Sequence, residues 1–227
     1  AAIILAWGTP ASPRAETVRL ATGEWPPFVS EEIFGYGRAA ARAIAIFEAA
    51  GFDVELEFLP WVRALELAAS GDLDATFPWV WTKERAEKFL YPETAILRSK
   101  DALYFRKDNN TVGEIRNLED LAASNLRLVG EVGYWYIEDL ERLGANLHLV
   151  TNDTLMWRMI LRGRADVAIA NIEVAEWRLS NQFTPGDVAT LASSAPLHEQ
   201  ELFVMFPKTA AGRVMADLFD RVAAQTN

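Results

Sequence analysis

The chain has 227 residues, 32 of them acidic against 22 basic, giving a formal net charge of -10 at pH 7, and it contains no cysteine. That length suits one large unit or two of about 100 residues, and an apolar share of 51% is enough to build their cores. The acidic balance excludes the clustered basic surface that holds nucleic acid. The missing cysteine excludes disulfides, cysteine-based metal sites and thiol catalysis. A few converging arginines can still hold an anion against a screened overall field, so net charge leaves the ligand open.

Residues 1–7 are an apolar run followed by Gly8, Thr9, Pro10, Ala11, Ser12 and Pro13, which reads as the tail of a signal peptide cleaved after Ala11 or Ala15, an ordered first strand being the plainer alternative. The mature protein is then expected to be secreted and soluble, because no later segment has about 18 consecutive apolar residues. From Val18 onward, short β-rich runs alternate with helical periodicity, the pattern of an α/β fold with parallel strands. Residues 18–22 read as a strand, 38–50 as a helix stopped by Gly51, 53–59 as a strand, 61–70 as a helix before Gly71, and 73–77 as a strand. Residues 102–106 form a β-like crossing that leads into the polar run 107–111. A second series follows, with strands at 126–129, 147–150 and 167–170 and helices at 136–142 and 155–161. Residues 201–206 read as a returning strand and 212–224 as an amphipathic terminal helix. The reading that uses all these pieces is a two-lobed α/β protein with two hinge crossings. Its first lobe takes residues 17–103 and 203–227, its second residues 106–195.

Ligands of open α/β sheets bind beyond the carboxyl ends of the strands. Trp25 follows the first strand within Glu24-Trp25-Pro26-Pro27-Phe28, Trp61 follows the second, and Trp79 follows the third beside Phe77 and Pro78. Indoles at three equivalent strand ends suggest stacking surfaces for a flat or apolar ligand, whereas Trp157 and Trp177 are assigned to packing. Thr82 is placed to cap a helix that carries Arg85, which either pairs on a solvated face or enters the cleft as a planar carboxylate clamp. In the second lobe, Gly130-Glu131-Val132-Gly133 feeds a helix start at Tyr134 and Trp135, whose free N–H groups suit an anion.

Together these segments resemble the periplasmic solute-binding proteins of the polar amino-acid ABC uptake type, a bacterial extracellular solute-binding family. The likeness runs from Val18 to Ala224. It is carried by Trp25-Pro26-Pro27-Phe28, by Leu65 with Ser70-Gly71-Asp72-Leu73-Asp74-Ala75, and by Thr82-Lys83-Glu84-Arg85. Leu118-Glu119-Asp120-Leu121 and Gly163-Arg164-Ala165-Asp166-Val167 complete it. The resemblance implies a type II two-lobed fold, a monomer, a small-molecule ligand and delivery to an ABC permease, with no cofactor and no metal. It implies that Trp25 and Trp61 flank the ligand, that Arg85 grips its carboxylate, and that Tyr134 closes over it. The chain departs from the family in three places. Asn171 stands where the ammonium-accepting acid is usual, Pro78 and Val80 replace small hydroxyl residues in a segment one residue short, and Gly35-Tyr36-Gly37-Arg38-Ala39 lacks its acid. Losing the charge-assisted partner weakens the case for an α-amino acid by about 1 kcal/mol and favours a carboxylate with a flat or apolar body, a cation held on the indoles being the competing possibility.

Two other classes compete. Some proteins resembling this family are dehydratases of the cyclohexadienyl type, and Glu173 is the second-lobe acid to consider for such chemistry, its plainer reading being an exposed helical edge with Glu176. The same fold also serves as the extracellular sensor module of membrane receptors. His148 and His198 are the only histidines, and neither sits in a Gly-x-Ser-x-Gly or HExxH setting, so hydrolase and zinc readings have no support.

Overall fold

The computed structural model describes residues 15–109 and 111–226. The apolar run expected as a signal-peptide tail lies outside the described residues. The first lobe is built from β1 (Thr17–Thr22), α1 (Arg38–Ala49), β2 (Asp53–Phe58), α2 (Trp61–Ser70), β3 (Ala75–Val80), α3 (Lys83–Lys88) and β4 (Phe89–Leu90). The chain crosses on β5 (Leu97–Arg106) to the second lobe. There it forms α4 (Leu118–Ala123), β6 (Leu128–Glu131), α5 (Ile137–Arg142), β7 (Leu147–Val150), α6 (Asp153–Leu161), β8 (Val167–Asn171), α7 (Ile172–Gln182) and α8 (Pro185–Ala189). It returns on β9 (Leu191–Pro207) and ends in α9 (Ala210–Ala223).

One sheet runs through the molecule in the order β2-β1-β3-β9-β5-β8-β6-β7. β1 pairs parallel with β2 and β3, and β6 pairs parallel with β7 and β8. Each lobe is thus a three-stranded parallel sheet with its first strand in the middle, closed by a crossing strand running antiparallel. The crossing strands pair with each other from Leu97↔Leu202 to Arg106↔Leu191. They are longer than their apolar stretches suggest. Polar residues on their exposed parts hide the β pattern, and opposite charges meet across the ladder at Arg98 with Glu201 and Lys100 with Glu199.

Each lobe has its own core. Phe47 of α1, Phe206 of β9 and Phe219 of α9 are buried together over the first-lobe sheet, the Phe219 ring lying 5.4 Å from Phe47 and 6.0 Å from Phe206. The terminal helix therefore packs on the lobe where the chain begins. In the second lobe, buried Trp157 meets Tyr104 edge-on at 5.1 Å, in keeping with its expected packing role. Helix ends follow from local chemistry. Gly71 closes α2 with φ +83°, a conformation that costs glycine little, and Thr82, Asn152 and Asn171 cap α3, α6 and α7 through their side-chain oxygens.

Among the strands whose ends differ from the sequence expectation, β3 and β6 shape the cleft. β3 begins at Ala75, because Asp74 is held in the preceding turn by exchange with the Arg19 backbone, its Oδ2 accepting from Arg19 N at 2.8 Å and its own N–H donating to Arg19 O at 3.0 Å. The strand runs on to Val80, so Trp79 lies inside it. β6 extends through Gly130 to Glu131, so a residue read as part of a glycine turn becomes the last position of a strand.

Candidate functional site

Between the lobes lies a cavity of about 530 Å³ at the carboxyl ends of β1, β2, β3 and β6, where the strand order of each lobe reverses direction and opens a crevice. Its first-lobe wall is largely apolar and includes Trp25, Phe58, Trp61, Leu65, Pro78 and Trp79. Trp61 and Trp79 meet edge-on at 5.1 Å, and the Trp79 Nε1–H donates to Thr76 Oγ1 at 2.9 Å. Gly23 makes room for this box, since a Cβ there would sit 2.6 Å from the Trp61 ring.

The second-lobe wall is polar, and sequence reasoning passed over most of it. Glu131, Asn152, Asp153 and Arg178 line the cavity with Tyr134 and Trp135. The Arg178 Nε lies 2.5 Å from Asp153 Oδ2, both side chains being largely buried. Among the described residues the Glu131 carboxylate has no hydrogen bond or ion pair. Burial, with the nearby Asp153 charge, pushes its pKa up to about 8, while Arg178 opposes the shift. The signal in the sequence was Glu131 itself, an acid directly after the buried run Leu128–Gly130, obscured by two flanking glycines that suggested a turn.

Of the residues proposed from sequence, Trp25, Trp61, Trp79, Arg85, Tyr134 and Trp135 all line the cavity. Phe77 and Asn171 are placed elsewhere. Phe77 is fully buried in the first-lobe core. In a regular strand it would share a face with Trp79, but Pro78 has no N–H to give the ladder, and the β3–β9 register shifts between Thr76 and Trp79, sending the two rings to opposite sides. Asn171 is 1% exposed, and its Oδ1 accepts from Glu173 N at 3.1 Å and Val174 N at 3.2 Å. The oxygen that would meet an ammonium is committed to capping a helix.

Arg85 spans the lobes. It donates through Nη1 to Val80 O at 3.1 Å and through Nη2 to Gly133 O at 2.7 Å, with its guanidinium 4.7 Å from the Trp79 ring centre. Trp25 Nε1–H donates to the Tyr134 hydroxyl at 3.3 Å, and Arg38 pairs with Glu173 at 2.5 Å. All three contacts join one lobe to the other, so the lobes meet across the cleft. Glu173 does not line the cavity and is engaged by Arg38 on a partly exposed edge, away from any position for cleft acid chemistry.

Under the cavity, Asp101 of β5 accepts at Oδ2 from Trp135 Nε1–H and from Gln200 Nε2–H, each at 2.8 Å. Burial raises its pKa to about 6, against the lowering effect of bonds from Trp135, Asn171 and Gln200. Trp135 is thereby anchored to both crossing strands, with the His198 ring 4.4 Å away. Among the described residues no group of three or more His, Asp or Glu side chains is arranged to hold a metal ion, and no helix is long and apolar enough to cross a membrane.

No family model matches the sequence, and no curated protein matches it. Solved structures do match the fold. A histidine kinase sensor domain similar to periplasmic binding proteins superposes with a TM-score of 0.78 at 19% identity, covering 93% of this chain and 90% of its own. An ancestral arginine-binding protein bound to arginine gives 0.76 at 17%, covering 94% and 93%. An ancestral amino-acid-binding protein, a precursor of cyclohexadienyl dehydratase, gives 0.73 at 16%, covering 92% and 88%. The chain has the two-lobed periplasmic-binding-protein-like fold.

Proposed function

We propose that this chain is a solute-binding protein of the periplasm. It captures a small organic molecule by closing two lobes around it, and delivers the loaded form to an ABC transporter. The observation that carries this reading is the cavity between the lobes, lined from both of them and bridged by inter-lobe hydrogen bonds from Trp25 and Arg85; hinge closure around a ligand is the motion this architecture supports. Trp25 and Trp61 receive the ligand body, Trp79 backs Trp61 edge-on under Arg85, and Tyr134 and Arg85 close over the ligand. The likeness to an arginine-bound protein of the same fold supports binding rather than chemistry.

A thermal-shift screen over amino acids, amines, carboxylates and small aromatics tests it, because a ligand at a hundred times its dissociation constant adds about 2.7 kcal/mol to stability. At least one compound should raise the melting temperature and be recovered unchanged by mass spectrometry. A panel with no shift, or recovery of a dehydrated product from prephenate, defeats the reading. The sensor reading is favoured by the sensor-domain likeness. It predicts that the loaded protein leaves the ATPase of a reconstituted ABC transporter unstimulated.

Arg85→Lys keeps the charge but cannot reach Val80 O and Gly133 O together from a planar fork. Calorimetry with the strongest compound from the screen should show affinity reduced about tenfold, or ~1.4 kcal/mol. An unchanged affinity would remove Arg85 from the closing machinery.

A further inference from the structure

Resting on the solute-binding reading, we infer that the cleft selects an organic cation, whose ammonium group meets the Glu131 carboxylate while an apolar or aromatic body lies against Trp25, Trp61 and Leu65. Four acids line the cavity, Glu24, Glu31, Glu131 and Asp153, against two bases, Arg85 and Arg178. Both bases are engaged within the protein. Arg178 is paired to Asp153, and Arg85 donates to two backbone carbonyls and covers Trp79. Of the acids, Glu24 accepts from the Glu31 N–H at 2.8 Å, and both residues are exposed at the first-lobe side. Glu131 alone combines partial burial with a carboxylate that no described residue pairs. A carboxylate-bearing ligand would therefore have to compete with Asp153 for Arg178 and with two backbone carbonyls for Arg85, on a wall with more acids than bases, whereas an ammonium supplies Glu131 with the partner it lacks.

The two walls also differ in kind. Apolar and aromatic groups come from the first lobe, and the charged groups beside Glu131 come from the second, so a ligand bridging them is amphipathic. Asn171, the position that would receive an ammonium by resemblance to amino-acid binders, is sealed under α7. The acceptor has in effect moved to the end of a different strand.

The groups facing Glu131 are Asp153, Arg178, Tyr134 and Tyr136. Because burial holds its proton up to about pH 8, binding a cation must displace that proton. Below that midpoint the affinity for a permanently charged ammonium should improve about tenfold for each unit of rising pH.

Three probes with one phenyl body separate the possibilities by calorimetry: phenethylamine, phenylalanine and 3-phenylpropionate. Phenethylamine should bind at least tenfold more tightly than 3-phenylpropionate, and its affinity should rise between about pH 6 and pH 8. Glu131→Gln should lose tenfold or more for phenethylamine and nothing for 3-phenylpropionate. Preference for 3-phenylpropionate, or phenylalanine binding that Glu131→Gln leaves unchanged, overturns the inference while leaving the solute-binding reading intact. If none of the three binds, the ligand class assigned here is wrong. Failure of the whole thermal-shift panel defeats the solute-binding reading too. Should Glu131→Gln fold poorly, the pH series on the unaltered protein decides alone, since a flat or falling affinity from pH 6 to 8 excludes Glu131 as the cation's partner.

Discussion

Glu131→Gln should stabilise the empty protein at pH 8 by on the order of 3 kcal/mol, and the gain should vanish on acidification to about pH 4. The carboxyl titrates near 4.5 when unfolded and at about 8 when folded, because folding buries it beside Asp153. A carboxyl with a raised folded pKa binds more protons in the native than in the unfolded state between those values. Native stability therefore falls as pH rises from about 4.5 to 8, and glutamine removes that loss without changing the side chain's shape. Urea unfolding of both proteins at pH 5 and pH 8 measures it. Equal stabilities at pH 8 would mean that the Glu131 carboxylate is solvated. Asp101, raised to about 6 by burial, contributes in the same direction between about pH 4 and 6 in both proteins and cancels in the comparison. A site that costs stability when empty is what binding is expected to relieve.

Phe219→Ala should cost about 3 to 5 kcal/mol, the usual range for removing a fully buried phenylalanine. Phe219 is 1% exposed, and its ring fills the gap between Phe47 of α1 and Phe206 of β9. Few neighbours can collapse into the space, since α9 approaches the chain leaving β9 so closely at Gly212 that a Cβ there would lie 2.1 Å from Pro207 O. The loss should appear as a lower urea midpoint with first-lobe amides exchanging faster than those around Trp157. Uniform loss across both lobes would show that the lobes unfold as one unit.

Much of the fold is legible in the chain because its parallel strands are short apolar runs bracketed by glycine, aspartate or asparagine, and its helices carry one apolar face. The residues Val18, Leu20, Val167 and Ile169 are buried where their spacing places them. The crossing strands were half legible. Their apolar parts show, while Ser99, Lys100 and Asp101 carry no strand signal and are held in the ladder by pairing with Gln200, Glu199 and His198. The site was legible where indoles repeat at strand ends. It was not legible where long-range geometry decides. Phe77 and Trp79 are parted by a register shift, Asn171 is consumed by a helix cap, and the acid on the second-lobe wall comes from a strand that runs one residue past its glycine.

The bonded pair of crossing strands also fixes how the molecule can open. A single linker would leave one lobe free to spin about the other. Two strands laddered from Leu97↔Leu202 to Arg106↔Leu191 resist torsion along their common axis and leave bending out of the sheet plane as the soft direction. That ladder slips register twice, between Asp101 and Ala102 and between Ala102 and Tyr104, so its weakest point coincides with the Asp101 that anchors Trp135. A swing of the lobes about these strands would thereby be confined to one axis, pivoting beside the side chain that ties the floor of the cleft to the second lobe. Movement along such an axis would return the two walls to the same alignment.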